Sequence, residues 1–286
     1  MGIGEILWDR FPTGDRLGGA PANFAYHAAQ FGAESYVVSR VGDDPDGEAI
    51  TRRLSGRTDF LQHDFEQPTG VVHVALHEGE PTYTIADPAA WDFLVLTEEL
   101  RQLAARADAV CFGTLAQRHP GTRGAIREFV AACSPHALRL FDINLRAPFY
   151  GPEVIEAGLD LANLLKLNEG EVEEVARMFK LTAADPVPEL MALYPRLKLV
   201  AVTLGAKGSA LYVPGGEPVR TPSPEIEFCD AVGAGDSFAA TLVTGLLAGE
   251  RVDLVADRAN RVAAFVASQS GATPLLPDNL RTFELP

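Results

Sequence analysis

An acid stands directly behind a glycine turn in Asp230-Ala231-Val232-Gly233-Ala234-Gly235-Asp236-Ser237-Phe238. Phe238, Leu242 and Leu246 recur at i, i+4 and i+8, with Ala239 and Val243 beside them, so an apolar helix face begins here. Asp236 or Ser237 then falls in the first helical turn, in front of the free N–H groups of Gly233, Ala234 and Gly235. Unpaired donors and the positive end of the helix dipole make such a turn an anion site. A carboxylate there is electrostatically out of place unless it draws a proton from a hydroxyl that attacks a phosphate. The same residues also suit a tight turn with Asp236 as its N-cap, and alone they favour neither reading.

A second glycine element, Gly18-Gly19-Ala20-Pro21-Ala22-Asn23, precedes Phe24, His27, Ala28 and Phe31 at helical spacing. The double glycine lets backbone approach a ligand closely, and Asn23 both donates to and accepts from hydroxyls. It is equally a turn and a helix start with Pro21 near N1. Asp9 can accept hydrogen bonds from two hydroxyls and so orient them, or it is a surface acid. Arg146 follows the apolar run Leu138–Ile143, where it meets a carboxylate, phosphate or sugar oxygen, or a neighbouring acid such as Asp142. The stretch Gly113–Arg118 reads as an ordinary β–α turn. Lys207 lacks a Walker A frame. His73 and His77 lack a third metal-ligating partner and read as structural or exposed.

Short aliphatic runs at Asp108–Gly113, Leu138–Ile143, Ala162–Leu167 and Lys198–Thr203 alternate with helical patterns at Gly121–Ala132, Glu171–Phe179 and Pro188–Tyr194. That alternation predicts an α/β fold, a doubly wound and mostly parallel sheet flanked by helices, with ligands at the carboxyl ends of its strands. Segments of about 9–18 and 69–96 have a different texture. Gly70–Leu76 and Thr82–Ile85 flank a hairpin-like connection through Glu78 and Gly79, which predicts a small β-sheet lid on a single domain spanning 1–286. No G-x-G-x-x-G follows the first strand, which speaks against a dinucleotide-dependent dehydrogenase.

The formal net charge is −15, from 39 acids against 24 bases. Such acidity argues against a nucleic-acid or anionic-membrane partner, and it leaves any phosphate site to find positive potential locally. No apolar run approaches the ~18 residues of a membrane span, and no signal peptide precedes Ile6. Three cysteines without C-x-x-C spacing read as reduced thiols, with Cys111 and Cys229 expected to be buried. A cytoplasmic location follows as an expectation.

Taken together, GGAPAN, Val41-Gly42-Asp43-Asp44-Pro45-Asp46-Gly47 and DAVGAGDSF resemble the ribokinase-like (PfkB) carbohydrate kinases. Asp142-Ile143-Asn144-Leu145-Arg146, Asn168-Glu169-Gly170-Glu171 and Thr203–Gly208 extend the resemblance along essentially the whole chain. The resemblance implies Asp236 as catalytic base, with Gly233, Ala234 and Gly235 as its anion hole. It places Asp9, Gly18, Gly19 and Asn23 on sugar hydroxyls, with Arg146 a further substrate contact. It puts Asn168, Thr203, Gly205, Gly208 and Asn260 near ATP, and Glu171 near Mg2+ through water. A potassium site is implied at Asp230, Val232, Val266 and Gly271. The family's first strand usually begins earlier, so a short one is expected here, and Ala231 stands where the family often has Thr. The expected activity is phosphorylation of a primary hydroxyl of a small sugar, D-fructose first. 2-Keto-3-deoxygluconate, ribose or a nucleoside is the alternative, and a non-catalytic sugar- or nucleotide-binding regulator the distant one. Some relatives pair their lids across a homodimer, so that assembly is an expectation too.

Overall fold

The computed structural model describes residues 1–54, 60–77 and 80–281, so the expected connection at Glu78 and Gly79 lies outside the described residues. The chain opens with β1 (Gly2–Ile3), β2 (Leu7–Phe11), β3 (Gly14–Gly18), α1 (Ala20–Gln30), β4 (Val37–Gly42), α2 (Pro45–Arg53), β5 (Leu61–Asp64), β6 (Gly70–His77) and β7 (Glu80–Ile85). It continues through α3 (Glu98–Ala105), β8 (Ala109–Phe112), α4 (Pro120–Ala132), β9 (Leu138–Asp142), α5 (Pro152–Leu161), β10 (Leu164–Asn168), α6 (Glu169–Phe179) and α7 (Pro186–Leu193). The last elements are β11 (Leu199–Thr203), β12 (Ser209–Tyr212), β13 (Val219–Thr221), α8 (Ala234–Leu247), α9 (Val252–Ala267) and α10 (Asp278–Arg281).

Nine strands form one sheet in the order β13-β12-β11-β10-β9-β8-β1-β4-β5, and β3-β2-β6-β7 form a second. The large sheet is parallel from β5 to β11; β12 pairs antiparallel with β11, and β13 antiparallel with β12. Side chains along its strands alternate between two helical layers. Val110, Phe112, Phe141 and Leu165 pack with Phe129 of α4, whereas Ala109, Cys111, Leu140 and Leu164 pack with Phe24 of α1 and Phe238 of α8. That double burial explains why these strands read as continuous apolar runs. It also gives Asp142 and Lys166, in register on β9 and β10, no apolar option: both point with Leu140 and Leu164 toward the α8 layer.

Two expectations need correction. The small sheet ends at Ile85, and the segment that follows belongs to the main body: Trp91 is wholly buried there among Val38, Phe112 and Phe129. Bulk and an apolar ring drive that burial, and a hairpin texture read across 69–96 had concealed it. Cys229 is exposed, while Cys111 and Cys133 are buried and free. Among the described residues no helix is long and apolar enough to cross a membrane.

Candidate active site

A cavity of about 710 Å³ lies between the small sheet and the carboxyl ends of β8, β9 and β10. Leu7, Asp9 and Phe11, at alternate positions of β2, face it from one side, and the turn Ala231–Gly235 with Asp236 faces it from the other. Gly233 adopts a left-handed φ of 78° as the N-cap of α8. A Cβ there would lie 2.4 Å from the Ala272 carbonyl oxygen, so glycine is required twice over. His27 buries its ring beneath the same segment and bonds the Ala272 oxygen at 2.9 Å, its pKa lowered to about 4 by burial.

Asp236 is 9% exposed in the first turn of α8, and Asn23 of α1 donates to its Oδ2 at 2.8 Å. Burial first, and the charge of Asp142 second, push the Asp236 carboxyl up to about 6. Asn23, Lys166 and Arg146 act in the opposite direction. The result is a carboxylate held in one orientation with a pKa suited to proton abstraction near neutrality. Asp9 is likewise raised to about 6 by burial, against the nearby charges of Arg146 and Arg16. Gly18 makes room for it, since a Cβ there would lie 2.3 Å from Asp9 Oδ2. Gly19 caps α1 at a φ of 107°.

Two charged groups in this cavity escaped the sequence reading. Lys166 sends Nζ to both oxygens of Asp142, at 2.8 and 3.0 Å, inside an otherwise apolar strand. A Cβ on Gly235 would lie only 3.1 Å from that Nζ, so the ammonium abuts the glycine turn. Burial works against its charge, but Asp142 and Glu171 prevail and hold its pKa above the usual lysine value. The signal was present: a lysine facing a covered layer needs an acid on the next strand. Glu5 also lines the cavity, with Oε1 accepting from the Ala20 N–H at 3.3 Å and Oε2 buried without a partner. Burial raises it to about 7.

Arg146 lines the cavity, and among the described residues its Nη1 donates to the Leu145 carbonyl, at 3.1 Å. The alternative pairing with Asp142 is overturned, because Lys166 holds that acid. Gly113, Thr114 and Leu115 do face the cavity, contrary to the reading of an ordinary turn, whereas Gln117 folds back onto the Gly113 carbonyl. Arg118 turns away to a bidentate pair with Asp92 over the Trp91 ring.

The expected nucleotide residues are not among those lining the cavity; four of them lie at or just after the ends of neighbouring strands, and Asn260 lies on α9. Asn168 and Thr203 are register partners at the carboxyl ends of β10 and β11, and Gly205 and Gly208 follow with φ of 58° and 98°. Asn168 and Glu171 form a capping box on α6, and Glu171 Oε1 also accepts from the Leu145 N–H at 3.0 Å. Asn260 is buried and donates to Ser209 Oγ and the Thr221 carbonyl, both at 3.0 Å, which ties α9 to the sheet edge. Lys207 is exposed and pairs with Glu169. Asp230 accepts from Arg16, and the Val266 carbonyl accepts from Gln269 N–H at 3.0 Å.

Known proteins share this plan. The family model for pfkB family carbohydrate kinases matches residues 13–279. An uncharacterized sugar kinase, PH1459 of Pyrococcus horikoshii, is 31% identical over 94% of this chain and 90% of its own. A fructokinase of Klebsiella pneumoniae is 30% identical, over 96% and 95% respectively. The structure of PH1459 in complex with ATP superposes with a TM-score of 0.79, at 29% identity over 95% of this chain and 93% of that one. A fructokinase of Xylella fastidiosa with bound ATP reaches a TM-score of 0.86 at 20% identity, over 96% and 94%, a likeness of fold. A model match that runs from the small sheet through the acid-bearing glycine turn to α10 admits one conclusion: the chain belongs to the pfkB family of carbohydrate kinases.

Proposed function

We propose that this sugar kinase transfers the γ-phosphate of ATP to a primary hydroxyl of D-fructose, with Asp236 as general base. The observation that carries the reading is the Asn23–Asp236 hydrogen bond beneath the Gly233–Gly235 turn. It fixes a proton acceptor beside backbone donors suited to a transferring phosphoryl group, although the Ala234 N–H, expected to be free, donates to the Ala231 carbonyl at 3.3 Å. Asp9 and Asn23 orient the sugar, Lys166 adds a fixed positive charge behind Gly235, and the small sheet keeps water from the reacting centre. The fructokinases among the relatives support fructose. Arg146 supports a second substrate: its guanidinium faces the cavity with a backbone partner among the described residues, which suits the carboxylate of 2-keto-3-deoxygluconate.

Magnesium is implied by the family, and the donor set fits it. Each Glu171 oxygen accepts one amide and keeps acceptor capacity for water, with Asn168 alongside. Among the described residues no group of three or more His, Cys, Asp or Glu forms a resident cage. One carboxylate plus water suits an ion carried largely on nucleotide phosphates, where it would neutralise their charge. A homodimer through the lid is part of the same proposal, supported by the outer edges of β3 and β7, which have no strand partner in the small sheet. Sedimentation of the purified chain would reveal it.

ADP formation measured over fructose, 2-keto-3-deoxygluconate, ribose and nucleosides tests the substrate. Fructose should give the highest kcat/KM, and turnover no greater than the sugar-free background would overturn it. Arg146→Ala should lower kcat/KM for ketodeoxygluconate by about tenfold or more and for fructose by less. Unchanged rates on both would remove Arg146 from the site.

A further inference from the structure

We infer that the guanidinium of Arg16 takes the place of a monovalent cation beside the anion hole, so that phosphoryl transfer needs no potassium. The inference rests on the reading of Gly233–Gly235 as the anion hole. The family resemblance implies an ion held by Asp230, Val232, Val266 and Gly271, and these residues do not fit one. Asp230 Oδ2 accepts from Arg16 Nη1 at 2.6 Å and from the Gly271 N–H at 3.3 Å, while Oδ1 accepts from the Val232 N–H at 3.0 Å. Three of the roughly four acceptor sites of this carboxylate are already filled, and the Arg16 guanidinium on Oδ2 repels an incoming cation.

The arginine nonetheless supplies what an ion would. Asp230 lies three residues before Gly233, where its negative charge opposes a phosphate; pairing with Arg16 offsets that charge. The Asp230 N–H donates to the Ala267 carbonyl at the end of α9, so the acid is anchored from both sides. Arg16 itself belongs to the small sheet: it lies opposite Asp9 in the β2–β3 register and stacks on the Phe11 ring at 4.7 Å. A dissociable ion would leave the small sheet and the glycine turn independent. Here one side chain joins β3, the strand paired with the one that carries Asp9, to the loop that sets the anion hole.

The test measures ATP turnover in potassium chloride and in tetramethylammonium chloride at equal ionic strength, with whichever sugar supports turnover. Rejection of fructose then counts against the substrate and not against Arg16. Wild-type kcat should agree within about twofold between the salts, and Arg16→Ala should lose about tenfold in tetramethylammonium and regain it in potassium. Melting temperature gives a second readout: potassium should stabilise Arg16→Ala relative to tetramethylammonium and leave the wild type unmoved. Arg16→Lys should retain potassium-independent turnover. A wild type that needs potassium, an Arg16→Ala enzyme that turns over normally without it, or a loss that potassium does not restore would each overturn the inference.

Discussion

At the residue scale the site turns on how Asp236 keeps a charge in a buried turn. Burial alone would favour the protonated acid, and Asn23, Lys166 and Arg146 hold the balance near 6. The sign for activity follows: the base works only when deprotonated, so kcat/KM should rise with pH through about 6 and flatten above it. Below that point it should fall by about tenfold per unit, as for uptake of one proton by the base. A profile flat down to pH 4, two units under that value, would remove Asp236 as the titrating group. Asp236→Asn keeps the volume and the hydrogen bond to Asn23 after an amide flip but removes the basic oxygen. Its kcat should drop by about 10²–10⁴ while the Kd for sugar, read by calorimetry, changes little. Loss of sugar binding together with activity would mean that the acid positions substrate and does not take its proton.

Between neighbouring elements, the Lys166–Asp142 pair shows what one sequence can and cannot disclose. The apolar runs, the helical periods and the glycine turns were legible because each is a local pattern. The strands and helices read from them match β8 to β11, α4, α6 and α7 in place and kind. The contacts that build the site are not local: Asn23 meets Asp236 across 213 positions and Arg16 meets Asp230 across 214. The two-residue β1, seated between β4 and β8, is too short to show a period, and Trp91 entered the core from a stretch with lid-like composition. Lys166 was hidden because three of the four other residues of β10 are buried leucines. Its contribution can be separated from simple stability. Lys166→Met leaves Asp142 buried and unpaired, which should cost about 3–5 kcal/mol in chemical denaturation. Adding Asp142→Asn should return most of that stability and none of the kcat, expected to fall by about 10²–10³ in both variants. Recovery of activity along with stability would make the pair a strut of the β9–β10 ladder.

For the whole molecule, the dominant quantity is a net charge of −15 on a chain whose substrate is a polyanion. The field of such a surface repels ATP at long range, whereas Lys166, Arg146 and the α8 N-terminus attract it only within the cavity. Dissolved salt discriminates between the two. Mobile ions screen exposed charges beyond about 10 Å at 0.1 M and barely reach a buried ammonium abutting Gly235. An enzyme that guides nucleotide with a basic surface loses kcat/KM for ATP as salt is added. This one should gain, by about twofold between 0.01 and 0.15 M ionic strength, because screening removes the repulsion and spares the local attraction. Tetramethylammonium chloride is the salt of choice, since it raises ionic strength without offering a cation that fits an alkali-metal site. A fall in kcat/KM over that range would show that exposed basic groups, and not the buried lysine and the glycine turn, deliver the nucleotide to Asp236.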